Sequence, residues 1–320
     1  MAEHSSIEWT DATWNPVTGC SVVSPGCTNC YAMKLAGTRL KYHWSRIGLT
    51  RDSKAGPVWT GEVRFNAEWL TQPLQWKRPR KIFVCAHGDL FADGVPDAWI
   101  DQVFAVMALA PWHTFQVLTK RAARMQAYLA TGDTVARIGA AQSEIDPEVS
   151  CYDNVGQDAV WPLRNVWLGV SAEDQRRADE RIPDLMRAPA AVRFVSVEPA
   201  LGPMDLSRWT TDPANFLDYC DAVGGPQASV FMLDWIIVGG ESGPGARPMR
   251  PEWARTVRDQ CAAAGVPFHF KQWGEWHADA LASTEVRTGL CPPPNMRIGK
   301  KAAGRLLDGV EHNGMPRKAA

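Results

Sequence analysis

No run in the 320-residue chain approaches the roughly 18 apolar residues that a membrane-spanning helix needs. No membrane partner is therefore expected. The N-terminus, MAEHSSIEWTD, lacks the basic and apolar regions of a secretory leader, and a cytoplasmic location is expected. Neither sign of charge prevails: 34 Lys and Arg stand against 35 Asp and Glu, a formal net charge of −1. That excludes a generally basic coat for nucleic acid but leaves room for a local basic groove. Low hydrophobicity is absent too. With 45% apolar and 22% charged residues the chain can fill a core, which excludes global disorder. Tyr and Phe are few beside Trp, 5 and 10 against 15. Trp9, Trp14, Trp273 and Trp276 lie near polar turns, where a flat ring either stacks on a base or plugs a barrel end or helix–sheet seam.

What is present is a series of short β-rich runs separated by helical stretches: 81–86, 114–119, 165–170, 192–197, 234–239 and 267–271. Each is nearly continuous in apolar residues, as parallel strands covered on both faces are. Between them, helices are expected over 97–109, 121–129, 172–186 and 251–264, the last opening on Pro251-Glu252 and closing at Gly265. Alternating strands and helices imply an α/β fold. Nearly every strand ends in a polar or glycine cluster, and in a (β/α) barrel such ends converge on one mouth. A partial or complete parallel TIM-type barrel over 1–280 is expected. Loop insertions are expected near 41–60, 131–160 and 207–230, and a basic appendage over 281–320.

Eight cysteines in a reducing compartment do not make a disulfide framework. Cys85, Cys151, Cys220, Cys261 and Cys291 are scattered, but Cys20, Cys27 and Cys30 crowd into a C-x6-C-x2-C loop shaped by Gly19, Pro25 and Gly26. Three thiolates on one loop suit three irons of a [4Fe–4S] cluster and leave the fourth iron open to an outside ligand. Structural zinc is the competing reading, with His4 or His43 as a fourth ligand, although no second CxxC pair lies nearby.

The segment NPVTGC…PGCTNCYA resembles the start of the spore photoproduct lyase group of the radical SAM superfamily, with three more residues between the first two cysteines. The chain as a whole is more similar still to a phage-associated family of three-cysteine TIM-barrel proteins. The shared features are IEWTDATWNPVTGC, GDLF, HTFQVLTKR, NVWLGVS, SVEP, GGESGPGARPM and FKQWGEW. The resemblance implies a [4Fe–4S] cluster on Cys20, Cys27 and Cys30, with S-adenosylmethionine (SAM) as second cofactor. It implies that Asp89 meets the SAM amino group, Lys120 its carboxylate and Ser171 its ribose. These are chemically apt pairs: acid for ammonium, cation for carboxylate, hydroxyl for diol.

Gly239, Gly240 and Glu241 follow a later strand and are assigned to the cofactor. Gly243, Gly245 and Arg247 beyond them suit a phosphate or nucleotide. Glu198 and Lys271, with Gln272 and Trp273, are assigned to the substrate side. Cys85, His87 and Asp89 would share one face if the strand continued through them. By resemblance Cys85 is then a hydrogen-atom donor, unless it is simply a small buried core residue.

The expected activity is reductive cleavage of SAM to a 5′-deoxyadenosyl radical acting on a nucleic acid or modified base, in repair or modification. An electron donor of flavodoxin or ferredoxin type is implied. Two rival readings remain: a non-catalytic nucleic-acid-binding protein with a structural iron–sulfur or zinc site, and a phage or host-defence regulatory scaffold.

Overall fold

A computed structural model describes residues 5–148, 161–210, 232–281 and 296–316. Cys151, Cys220, Cys291 and the parts 149–160 and 211–230 of the expected insertions lie outside the described residues, and the described part of 131–160 holds a helix, Thr134–Ile145, rather than a loop. In chain order, β1 (Ala12–Trp14) is followed by β2 (Val17–Gly19), α1 (Tyr31–Gly37), β3 (Thr50–Ser53), β4 (Gly56–Trp59) and β5 (Val63–Phe65). Next come α2 (Ala67–Leu70), α3 (Gln72–Gln75), β6 (Lys81–Val84), α4 (Asp97–Leu109), β7 (Thr114–Thr119), α5 (Ala122–Ala130) and α6 (Thr134–Ile145). The rest are β8 (Val166–Ser171), α7 (Gln175–Arg187), β9 (Val192–Val197), β10 (Trp235–Gly239), α8 (Pro251–Ala264), β11 (Phe268–Gln272) and α9 (Lys300–Ala303).

The fold is α/β. Seven strands form a sheet in the order β1-β6-β7-β8-β9-β10-β11. Each is laid beside its predecessor in the chain, whereas the order of a doubly wound sheet reverses at a switch point. Among the described residues there is no eighth parallel strand to complete a TIM barrel. The remaining strands form two antiparallel pairs, β2 with β5 and β3 with β4, so the segment 41–60 does interrupt the strand–helix alternation. No helix among the described residues is long and apolar enough to cross a membrane.

Contacts divide the chain into two compact units: Met1–Val170 with Arg187–Val192, and Ser171–Met186 with Arg193–Lys318. The first holds β1, β6, β7 and nearly all of β8, with Trp14, Ile82, Val84, Phe115 and Val117 buried among them. α4 turns Ile100, Val103, Phe104 and Met107 inward, and Tyr128 of α5 donates to Asp101 of α4 at 2.7 Å.

The second unit holds β9, β10 and β11. α8 runs from Pro251 to a left-handed Gly265 (φ 68°), as its punctuation implies. The described residues of the expected C-terminal appendage lie along β11. Phe270 N donates to the His312 carbonyl at 3.0 Å, Gly314 N to the Phe268 carbonyl at 2.9 Å, and Trp235 Nε1 to the Gly314 carbonyl at 2.7 Å. A terminal strand leaves backbone groups unpaired, and this segment supplies partners.

The four tryptophans near turns pack rather than face outward. Trp9, Trp14 and Trp273 are buried, and Trp276 Nε1 donates to the Ala246 carbonyl at 2.7 Å.

Candidate functional site

The cysteine loop leaves β2 at Gly19, whose φ of +94° suits glycine and whose Cβ, were there one, would stand 2.3 Å from the Glu62 carbonyl oxygen. Gly19 N donates to the His87 carbonyl at 3.3 Å. Gly88 lies against the same stretch, and a Cβ there would meet the Gly19 carbonyl at 3.0 Å. Two glycines therefore allow the start of the loop to run against the turn that follows β6.

Cys27 closes a tight turn by donating its amide to the Ser24 carbonyl at 2.9 Å, and Cys30 precedes α1. Cys20 and Cys30 pack on one apolar bed with Ala32, Met33, Ala36, Leu49 and Trp59. Burial pushes the Cys20 thiol up to about 12; Asp89 adds to the rise, Arg121 opposes it, and Cys30 and Cys27 add to it again. Burial likewise raises Cys30, against the Met33 amide and the Lys120 cation, and Cys27 adds to the rise. Cys20 and Cys30 thus feel the charge of neighbouring sulfurs, and Arg121 and Lys120 offset it.

Among the described residues, no three His, Cys, Asp or Glu side chains are grouped to hold a single metal ion. Three cysteines on one loop, with Arg121 hydrogen-bonded to Cys20 and the Lys120 cation lowering Cys30, are a donor set of the kind a cluster takes.

Arg121, which the sequence reading passed over, joins the loop to the end of β7. Its Nη1 donates to Asp89 Oδ2 at 2.9 Å and to Cys20 Sγ at 3.5 Å. Its Nη2 donates to Ser21 Oγ at 2.6 Å and to the Ser21 carbonyl at 3.1 Å. Asp89 also accepts Thr119 Oγ1 at 2.7 Å, Phe91 N at 3.0 Å and Lys120 N at 3.2 Å. Both carboxylate oxygens therefore hold two donors each, in a buried position. Asp89 and Lys120 are brought together as expected, but Asp89 is fully engaged by its own chain.

The strand expected to run through Cys85 and His87 stops at Val84. Cys85 takes a left-handed conformation (φ 55°), and Gly88 N closes the turn onto its carbonyl at 2.9 Å. The alternation that would place Cys85, His87 and Asp89 on one face is therefore broken. Cys85 is buried, which raises its thiol to about 12. His87 is pushed down to about 4 by burial and by the Arg46 cation, so its Nδ1 is a neutral acceptor for Arg46 Nη2 at 2.7 Å.

Ser171 and the remaining expected residues belong to the second unit. Ser171 is buried, and its carbonyl accepts Arg181 Nη1 at 2.7 Å. Lys271 Nζ pairs with Glu198 Oε1 at 2.9 Å, and Ser196 Oγ donates to Glu198 Oε2 at 3.1 Å. Gly239 makes room for this pair: a Cβ there would stand 2.7 Å from Glu198 Oε1. Gly240 answers to packing, because its Cβ would lie 1.9 Å from the Trp273 carbonyl oxygen. Glu241 is forked by Arg247, whose Nε reaches Oε2 at 2.9 Å and whose Nη2 reaches Oε1 at 2.6 Å. Gly243 N donates to Glu275 Oε1 at 2.9 Å, and Gln272 Nε2 to Ser242 Oγ at 2.7 Å. The glycine-rich loop is thus held by carboxylates of its own unit.

No curated protein and no solved structure matches this chain. Residues 4–316 match a family model described as "Protein of unknown function (DUF5131)", which spans nearly the whole sequence, and the chain belongs to that family.

Proposed function

We propose that this protein is a radical SAM-type iron–sulfur enzyme, built on a partial (β/α) barrel, that acts on a nucleic acid or modified base. It would work in the cytoplasm with an electron donor of flavodoxin or ferredoxin type. The observation that carries the reading is the set of three cysteines on one loop, tied by Arg121 through Cys20 and Ser21 to the strand end that carries Lys120. Cys20, Cys27 and Cys30 would hold a [4Fe–4S] cluster, which when bound supplies the electron for cleavage of SAM. Arg121 offsets thiolate charge and fixes Ser21. Lys120 is the cation available to a carboxylate beside the loop. Asp89 would meet an ammonium group only by releasing one of its four donors, and its standing task is to hold Arg121. Glu198 and Lys271, paired at 2.9 Å, would serve the substrate side.

Anaerobic reconstitution tests the proposal. Iron and sulfide should bind with a visible charge-transfer absorbance, and dithionite should release 5′-deoxyadenosine from SAM. Replacing any one of the three cysteines by Ala should remove both signals. Stoichiometric zinc in protein purified without oxygen would overturn it.

A further inference from the structure

Large apolar side chains stand out of the surface beside the cysteine loop. Tyr42 is 85% exposed, Ile47 52%, Trp44 45% and Tyr31 52%. The stretch that carries the first three is pinned. Ser45 and Arg46 between them are buried, Thr18 Oγ1 donates to the Ser45 carbonyl at 2.8 Å, and Arg64 donates to the Trp44 and Ile47 carbonyls. The backbone under Trp44 and Ile47 is therefore fixed, and Tyr42 projects from the turn before it.

The rings also connect to the loop. Trp44 packs on Trp69 at 4.8 Å between ring centroids, and the Arg46 guanidinium lies 5.9 Å over Trp69. Arg46 binds His87, and the His87 ring meets Tyr31 at 6.2 Å. Tyr31 follows Cys30 directly.

Charge is concentrated in the same stretch. Residues 34–64 carry Lys34, Arg39, Lys41, Arg46, Arg51, Lys54 and Arg64 against Asp52 and Glu62, in a chain of net charge −1. Arg39, Arg51 and Lys54 are exposed. Within the stretch Lys41 pairs with Asp52 at 2.8 Å, Lys34 donates to Asn29 at 3.0 Å and Arg46 is buried, which leaves Arg39, Arg51 and Lys54 to face a ligand.

We propose that the exposed face of residues 39–47, continued by Tyr31, is a binding platform for single-stranded nucleic acid, whose unpaired bases stack on Tyr42 and Trp44 while Arg39 and its basic neighbours hold the phosphates. Fixed outward rings among cations are what unstacked bases require, whereas a duplex hides its base faces. The proposal rests on the reading above for its link to catalysis, since it names the substrate as unpaired strand led toward the cysteine loop. Binding itself needs no turnover.

The test is fluorescence anisotropy of a labelled oligothymidylate with the full-length protein, beside a duplex of equal length. Native protein should bind the single strand more tightly. Trp44→Ala with Tyr42→Ala should weaken it at least about tenfold. Arg39→Gln and Arg51→Gln, which leave the rings in place, should each lower the salt slope by about 0.7. Ring-dependent binding without any SAM cleavage would leave the platform standing and defeat the enzyme reading. SAM cleavage by a protein that binds duplex as well as single strand, or neither, would defeat the platform alone. Unchanged oligonucleotide affinity in the ring variant, with lost docking of a reduced flavodoxin, would make this a protein-docking face and overturn the proposal.

Discussion

Arg121 reaches a carboxylate, a hydroxyl, a carbonyl and a cysteine sulfur from one guanidinium, a reach that only a planar fork of donors provides. Removing it leaves Asp89 buried with part of its donors gone. Arg121→Met is expected to cost roughly 3–5 kcal/mol in denaturant unfolding. Adding Asp89→Asn should cost less than the sum of the two single changes, because the pair acts as a unit. Arg121→Lys should fall between, since an ammonium keeps the charge but cannot span all four partners. Additive losses would show that the fork does not couple the loop to the strand end. The sequence does not single out Arg121, because two adjacent cations after a strand read alike. That a buried cation and a buried carboxylate satisfy each other depends on burial, which the run Thr119-Lys120-Arg121 does not display.

At the scale of elements, the chain was most legible where six apolar residues stood between polar ends or a helix carried its own punctuation. β7, β9, α4 and α8 run as their sequences imply. β1 was missed because it is three residues long, carries Thr13 at its centre and adjoins a motif that drew attention as a loop. The turn at Cys85 was missed because nothing in Val84-Cys85-Ala86 marks a left-handed residue. The crossing of β2 with the turn after β6 is also invisible in the sequence, because Gly19 and Gly88 stand far apart along the chain. Gly19→Ala would place a Cβ 2.3 Å from a backbone oxygen at a positive φ. It should cost about 2 kcal/mol or more and lower the iron retained after reconstitution. Gly132, with nothing within 4 Å of its would-be Cβ, should accept Ala without loss in either measurement. Equal iron content in the two variants would show that the loop does not depend on that crossing.

For the molecule as a whole, the C-terminal segment belongs to the second unit's sheet. Ending the chain after Ala303 removes the partners of Phe268, Phe270, Trp235 and Trp273, and the pairs of Asp308 with Arg255 and Arg258. Such a protein should lose near-ultraviolet circular dichroism from its tryptophans and bind a hydrophobic dye. A soluble truncation with the native spectrum would restore the free appendage. The placement of β1 bears on biosynthesis. β1 finds its sheet partner, β6, only across the whole cysteine loop, with Ala12 opposite Ile82, and the loop is fixed only when Arg121 exists. At about 5–20 residues per second, the three thiols emerge on the order of ten seconds before the structure that will seat them. Any metal they acquired in that interval would be chosen by an unfolded segment, so delivery of the proposed cluster would have to come after translation has passed Arg121, or displace whatever ion arrived first.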